Sequence, residues 1–429
     1  MVVIAILGMG FYVVRYILHG EQWASAPFNR TVFRDGMLTI GTVTDRNGVV
    51  LADAVDGRRV FAESSDVRRA TLHAVGDREG NIGTGALVVN AGDLVGYNLI
   101  TGSYSRTGAG RQVSLTIDSH LNTVALRALD GRNGVVMVSN YLTGEVLCMV
   151  STPTFDPANP PNNFDTPALE GVFVNRAIQS AYTPGSTFKL VTATAAIERL
   201  RNVHNMTFEC TGEFETSRGT VTCPGVHGVI GIERGMQVSC NVVYGQLALE
   251  LGAVVLAEYA EKLGLSERTT VGGIQTARGN FEIASPDTAD LAWSGVGQFT
   301  NTVCPASMLR FVGAIANDGY AVQLSLVRRT GFSSIFPPRV DRLMDRSTAT
   351  ELGYITEVQN RQNFPGLEIH AKSGTAQVGG GQDPHAWYVG YITNEDFPLA
   401  FVVIVENGGG GTAIAAPIAN RVLQAAIGG

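Results

Sequence analysis

Ser186 and Lys189 lie three residues apart in Thr183-Pro184-Gly185-Ser186-Thr187-Phe188-Lys189, a spacing that suits nucleophilic acyl transfer with lysine as the base. In the run 187–200, Leu190, Ala193, Ala196 and Ile197 fall on one apolar helix face, which predicts that Ser186 opens a helix. Unpaired backbone N–H groups and the positive dipole end at such a position favour a developing alkoxide or oxyanion. Lys189 is one turn along the same face, its amine within reach of the hydroxyl. A lysine with a second cation nearby has a lowered pKa and can accept the serine proton. Taken alone, the tetrapeptide also reads as a helix N-cap followed by a solvated lysine.

Two further segments supply what that pair lacks. Ser239-Cys240-Asn241 precedes a helical run to about residue 251; Ser239 can relay a proton, and Asn241 can hold a substrate amide and the base lysine. Its plain alternative is an N-cap followed by a buried cysteine. Lys372-Ser373-Gly374-Thr375 sits inside a β run, where Lys and Gly are poor choices and Gly often marks close approach of a ligand or another backbone. There Lys372 supplies positive potential, and Ser373 and Thr375 offer hydroxyls to a substrate carboxylate; the alternative is an edge strand with a solvated lysine. The three segments in this order, each in a fitting element, point to a serine acyl-transfer enzyme.

Other chemistries find less support. The seven histidines are scattered, with no Asp partner near a G-x-S-x-G elbow, which argues against a Ser-His-Asp hydrolase. His227, in Pro224-Gly225-Val226-His227-Gly228, reads as a structural loop residue, and Trp387 as core packing next to the Lys372 strand. Gly295-Val296-Gly297 lacks the strand-helix context of a nucleotide fingerprint, so no cofactor is expected. The five cysteines are Cys148, Cys210, Cys223, Cys240 and Cys304, an odd number that leaves at least one thiol unpaired. Cys210 and Cys223 flank a short polar stretch and fit either a loop disulfide or two reduced thiols. With no CxxC pair and no HxxxH, no metal site is expected.

A chain of 429 residues, 45% hydrophobic and 16% charged, is globular in composition and long enough for two domains and an anchor. Its net charge of -7, without a long Lys/Arg block, argues against nucleic-acid binding. Residues 2–18 are apolar except for Arg15 and as a helix would reach ~26 Å, slightly short of a ~30 Å hydrocarbon core. Arg15 is near one end and can snorkel to headgroups. No small-residue cleavage site follows, so residues 1–19 are expected to be an uncleaved membrane anchor rather than a removed signal peptide or a buried core helix. No Lys or Arg precedes the run, while Arg15, Arg30 and Arg34 lie at its far end or beyond. With the bulk of the protein outside the cell, cytoplasmic residues are expected to be missing from the start of this sequence.

Residues 20–112 read as a small, mostly β pedestal module. In it, residues 39–44 and 49–52 flank Asp45-Arg46-Asn47-Gly48, a strong hairpin turn signal, and residues 76–96 are rich in Gly with little helical periodicity. Residues 113–429 form the second expected domain. A strand at 113–118 ends in an N-cap Asp118 and a helix follows to about 129; 134–139 and 145–151 form a hairpin. Residues 156–166 read as a loop, and helical pieces dominate 186–263. Three β runs at 368–378, 386–393 and 399–406 suggest an antiparallel meander, followed by a helix at 413–427. The expected class is α+β, an antiparallel sheet flanked by helices.

Read as SxxK, SxN and K[ST]G, these segments resemble the motif set of the active-site serine penicilloyl transferases. Gly134-Val135-Val136, Thr143-Gly144-Glu145-Val146-Leu147, Ser151-Thr152-Pro153-Thr154-Phe155-Asp156-Pro157, Ala386-Trp387-Tyr388-Val389-Gly390 and Glu406-Asn407-Gly408-Gly409 extend the likeness. Asp45-Arg46-Asn47-Gly48 is similar to the start of the N-terminal module of class B penicillin-binding proteins. Ser373 stands where that family more commonly has Thr, but keeps the hydroxyl, and the N-terminal module is short for the class.

The resemblance implies a β-lactamase/transpeptidase-like fold and a monofunctional D,D-transpeptidase of peptidoglycan synthesis. Ser186 would attack the penultimate D-Ala carbonyl of a stem peptide, and β-lactams would acylate the same serine. The backbone N–H just beyond Gly374 would join that of Ser186 in an oxyanion hole. A multispanning glycan polymerase is the implied partner, and the implied location is the bacterial cell membrane with the catalytic domain outside. A D,D-carboxypeptidase or β-lactamase, with water resolving the acyl-enzyme, is the runner-up. A penicillin-sensing receptor or inactive wall-building scaffold is the reading of another class.

Overall fold

The turn Asp45-Arg46-Asn47-Gly48 reverses the chain and fixes the first sheet. Asp45 Oδ1 accepts the N–H groups of Asn47 and Val49 (2.8 and 2.9 Å), and Gly48 takes a φ of 84°, which glycine adopts at little cost. β1 (Thr42–Thr44) and β2 (Val50–Val55) pair antiparallel across it. β3 (Arg58–Phe61) and β4 (Gln112–Ser114) complete a four-stranded sheet ordered β3-β2-β1-β4, with β4 parallel to β1.

The computed structural model describes residues 2–24, 33–34, 37–97, 110–282, 285, 288–329, 335–356 and 368–428. They divide into two compact units: 1–123 with 154–175 and 326–329, and 124–153 with 176–325 and 330–429. The first unit therefore also takes stretches beyond the expected boundary at residue 112. It begins with helix α1 (Val2–Ala24), in which Ile4, Leu7, Met9 and Phe11 are each more than 60% exposed. Among the described residues no single helix is long and apolar enough to cross a membrane. Arg30 lies outside the described residues.

The first unit is mixed rather than mostly β. Helix α2 (Ser65–Val75) is capped by Ser64 and buries all of residues 70–75; two short helical segments follow at Ala86–Val89 and Ala91–Val95. The glycines that suggested irregular structure are helix boundaries: Gly76 and Gly96 end helices at positive φ, and Gly85 begins one. The expected loop at 156–166 is irregular, and it is held within the same unit. Arg68 grips Asp156 with two bonds of 2.6 Å, and Phe155, Phe164 and Phe173 pack together.

The second unit is built on continuous apolar runs. β5 (Gly134–Asn140) and β6 (Val146–Thr152) form the expected hairpin. Four short strands then interrupt the region expected to be helical: β7 (Phe208–Cys210) pairs with β10 (Gly228–Ile230), and β8 (Glu213–Thr216) with β9 (Gly219–Thr222). The meander is β11 (Glu368–Ala376), β12 (His385–Thr393) and β13 (Leu399–Val405), in a five-stranded sheet ordered β11-β12-β13-β5-β6. All seven residues of β13 are buried, so both faces of the sheet are covered there. The helix Pro305–Ala316 and the C-terminal helix Gly411–Gly428 pack against this sheet, giving the α+β arrangement expected. β11 is an edge strand.

Candidate active site

Ser186 lies on a tight turn fastened from several sides. Gly185–Phe188 form a single 3-10 turn, and the α-helix proper, Lys189–Arg199, starts at the lysine. The Trp387 indole N–H donates to Thr183 O (2.9 Å), Thr187 Oγ1 to Pro184 O (2.8 Å), and Gly185 N to Gly297 O (2.9 Å). Trp387 is fully buried, so it packs in the core as expected and also holds the chain just before the serine. Tyr182 hydroxyl donates to Glu406 Oε1 (2.6 Å), which also accepts from Arg176 Nε (2.9 Å).

The turn abuts β11 backbone to backbone. Gly185 has a φ of +54°, and a Cβ there would sit 2.8 Å from Thr375 O; a Cβ on Gly374 would sit 2.8 Å from Pro184 O. Glycine at both positions is what lets the Ser186 turn and the Lys372 strand close on each other. Gly185→Ala is expected to cost about 1–2 kcal/mol in backbone strain. It should also displace Ser186, lowering the rate of covalent labelling by a tagged penicillin by roughly 10²-fold. Thermal melting and labelling kinetics of the variant check both effects; labelling unchanged would mean that the turn tolerates a Cβ.

Lys189 meets Ser239 and Asn241. Its side chain is fully buried, and Nζ donates to Ser239 O (2.6 Å), Ser239 Oγ (3.1 Å) and Asn241 Oδ1 (2.8 Å). Lys372 Nζ donates to the same Ser239 Oγ (2.9 Å) and to Ser373 O (2.9 Å). One hydroxyl oxygen thus sits between two buried amines. Burial and the neighbouring Lys372 charge hold the Lys189 amine well below its ordinary pKa, and burial lowers Lys372 to about 8.

The SxN segment lies between the helices Ile232–Gln237 and Asn241–Leu251, with Ser239 in the left-handed region at φ 54°. A non-glycine residue held there is strained, and such strain concentrates at working sites. Asn241 Nδ2 donates to Thr222 O (2.9 Å), which fixes its Oδ1 toward Lys189. Ser373 is half-buried and Thr375 is exposed, with Thr375 Oγ1 accepting from Gly411 N (3.4 Å).

One expectation changes. The half-buried Ser186 hydroxyl makes no hydrogen bond among the described residues, and Lys189 is engaged with Ser239 and Asn241 instead. The acceptors that draw Lys189 away lie fifty or more residues on, at Ser239 and Asn241, and spacing within the tetrapeptide does not reveal them.

Sequence reasoning also missed a cluster beside the SxN turn. Cys210, Cys223, His227 and Cys240 bring four ligand atoms within 4.8 Å of one another, and none of these three cysteines is in a disulfide, so Cys210 and Cys223 are not bridged. Their spacing, twelve, three and twelve intervening residues, matches no CxxC pattern; the two ribbons and the start of the helix Asn241–Leu251 bring them together.

Comparison with known proteins adds a family. The family model for the penicillin binding protein transpeptidase domain matches residues 134–424. The peptidoglycan D,D-transpeptidase PbpA of Mycolicibacterium smegmatis is 29% identical over 387 residues, 79% of this chain and 78% of its own. The D,D-transpeptidase domain of a peptidoglycan glycosyltransferase from Eggerthella lenta superposes with a TM-score of 0.73 at 26% identity, covering 90% of this chain and 98% of that one. The imipenem acyl-enzyme of penicillin-binding protein A from M. tuberculosis gives a TM-score of 0.75 at 25% identity, with coverage of 90% and 98%.

Proposed function

The chain belongs to the penicillin-binding protein transpeptidase domain family, and from that premise we propose that it is a serine-type peptidoglycan D,D-transpeptidase whose nucleophile is Ser186. The observation that carries this reading is Ser239 Oγ held between two buried amines, those of Lys189 and Lys372. In its neutral form the Lys189 amine has two hydrogens and one lone pair. Ser239 O and Asn241 Oδ1 are acceptors for the hydrogens, which leaves the lone pair for a proton.

Ser186 Oγ attacks the penultimate D-Ala carbonyl carbon of a stem peptide, and its proton passes to Lys189. The oxyanion is met by the backbone N–H groups of Ser186 and Thr375, donors worth about 3–4 kcal/mol each in such sites. Once Lys189 carries that proton, Ser239 Oγ can accept from both lysines, so its own proton is free for the departing D-Ala nitrogen, and Lys189 returns a proton to Ser239. The C–N bond breaks, D-Ala leaves, and the acyl group stays on Ser186. An amine of a neighbouring stem then attacks the ester carbonyl, completes the crosslink and restores the serine. A β-lactam follows the same first half, with its ring C–N bond as the one that opens. As an edge strand, β11 suits an extended peptide added as a further strand, with Lys372, Ser373 and Thr375 for its terminal carboxylate.

The same reading takes α1, whose apolar side chains are exposed, as part of a membrane anchor over residues 1–19. It takes 20–112 as a pedestal and 113–429 as the extracytoplasmic transpeptidase domain. The family resemblance adds a multispanning glycan polymerase as partner, which co-purification from membranes tests.

The pH dependence of acylation follows from the two lysines. Lys189 works as the neutral amine, and its pKa is depressed, so the competent fraction rises with pH. Lys372 works as the cation, and its charge is present below about 8 and lost above it. The acylation rate should therefore be bell-shaped with its falling limb near about 8, and Lys372→Arg should move that limb up because Arg stays charged. Stopped-flow labelling across pH checks this; a flat alkaline side in the wild type would remove the role given to Lys372.

A further inference from the structure

We propose that Cys210, Cys223, His227 and Cys240 form a closed structural site for a zinc-class divalent ion, and that this ion fixes the Ser239-Cys240-Asn241 turn. Tetrahedral zinc with Zn–S near 2.3 Å and Zn–N near 2.0–2.1 Å requires S···S edges of about 3.8 Å and S···N edges of about 3.6 Å. The cluster has Cys223 Sγ to Cys240 Sγ at 3.8 Å, Cys223 Sγ to His227 Nδ1 at 3.6 Å and Cys210 Sγ to His227 Nδ1 at 3.4 Å. Its remaining edges are all within 4.8 Å. Three thiolates and one imidazole, with no carboxylate, are the donors that zinc prefers over magnesium or calcium. Four protein ligands leave no open position, so the ion holds structure and takes no part in the serine chemistry.

The fold around the cluster argues for such a clip. Cys210 ends β7, Cys223 follows β9, His227 precedes β10, and Cys240 caps the helix Asn241–Leu251. Both ribbons are two-stranded and only three or four residues long, a size that is marginal without further support. Val226 and Val229 are exposed at 74% and 67%, so apolar burial contributes little at those positions. Asn241 N–H points at Cys223 Sγ (3.3 Å), the backbone bond that orients a ligating thiolate.

The link to catalysis is covalent connectivity. Cys240 lies between Ser239, which receives both lysine amines, and Asn241, which holds Lys189. An ion bonded to Cys240 thereby restrains the strained Ser239 backbone at φ 54°. This consequence rests on the role of Ser186 proposed above; the binding of the ion does not.

The test uses the full chain, produced with added zinc and kept reduced. Elemental analysis should find zinc at about one ion per chain, and cobalt substitution should give the ligand-field absorption of a tetrahedral thiolate site. Cys210→Ser, at a residue that makes none of the lysine hydrogen bonds, should lower bound zinc by at least about 10-fold. Removing zinc from the wild type with a chelator should slow penicillin labelling of Ser186 by at least about 10-fold, and adding zinc back should restore it, which covers the case of a variant that fails to fold. Reduced thiols with no stoichiometric zinc would overturn the proposal, as would a Cys210–Cys223 or Cys223–Cys240 disulfide in the native protein. Zinc bound with unchanged labelling after its removal would overturn the link to the turn. If the wild type does not label at Ser186 at all, the transpeptidase reading fails while the zinc stoichiometry still decides the site.

Discussion

Ser186→Ala is expected to lower covalent labelling by a tagged penicillin by a factor on the order of 10⁴ to 10⁶, to below detection in an ordinary assay. The reason is that the neighbouring amines and the adjacent threonine hydroxyl are engaged elsewhere. Lys189 and Lys372 are buried and engaged with Ser239, and Thr187 donates its hydroxyl to Pro184 O. The substitution should leave the fold intact. The Ser186 hydroxyl makes no hydrogen bond among the described residues, so its removal should change stability by no more than about 0.5 kcal/mol. Loss of labelling with an unchanged melting temperature is therefore the expected pair of results. Labelling at the wild-type rate would remove Ser186 from the mechanism.

Lys189→Met should be nearly as damaging for a different reason. Methionine keeps the length of the side chain and removes the amine, so the serine proton has no positioned acceptor; a general base contributes roughly 10²–10⁴-fold. The variant also leaves Ser239 O and Asn241 Oδ1 without their donor; both residues are half-buried, so each lost bond costs about 0.5–1.5 kcal/mol. Removing a fully buried amine offsets part of that cost, since desolvation is what depresses its pKa. The readout that separates chemistry from packing is the pH profile: the rise of acylation with pH should vanish along with most of the rate. A variant that is slow yet keeps the wild-type rise would mean that Lys189 positions Ser239 and Asn241 and accepts no proton.

Much of this was legible in the sequence because the relevant signals are local. The meander announced itself through three apolar runs parted by Gly379-Gly380-Gly381 and Asn394-Glu395-Asp396, and the pairing of Lys372 with Val389 and of Gly374 with Trp387 follows from it. Asn47-Gly48 fixed its hairpin by turn chemistry. What escaped was set by contacts distant in sequence. The short ribbons at Phe208–Cys210 and Gly228–Ile230 carry no apolar period, and their pairing leaves Cys210 and His227 next to each other. In the first unit, Gly76, Gly85 and Gly96 suggested irregular chain although each bounds a helix. The conformation of the Ser186 turn depends on Gly297 and Trp387, over one hundred and two hundred residues away, and no local pattern reports that.

The central claim, an acyl-enzyme on Ser186 that transfers to an amine, is tested most directly by intact and peptide-mapped mass spectrometry of the full chain. The protein is incubated with a penicillin, and separately with a D-Ala-D-Ala stem peptide and an acceptor amine. The account predicts a long-lived penicilloyl adduct on the peptide that contains Ser186, and a crosslinked product with release of D-Ala. An adduct on another residue, or rapid turnover of the penicillin with only hydrolysed stem peptide, would contradict it.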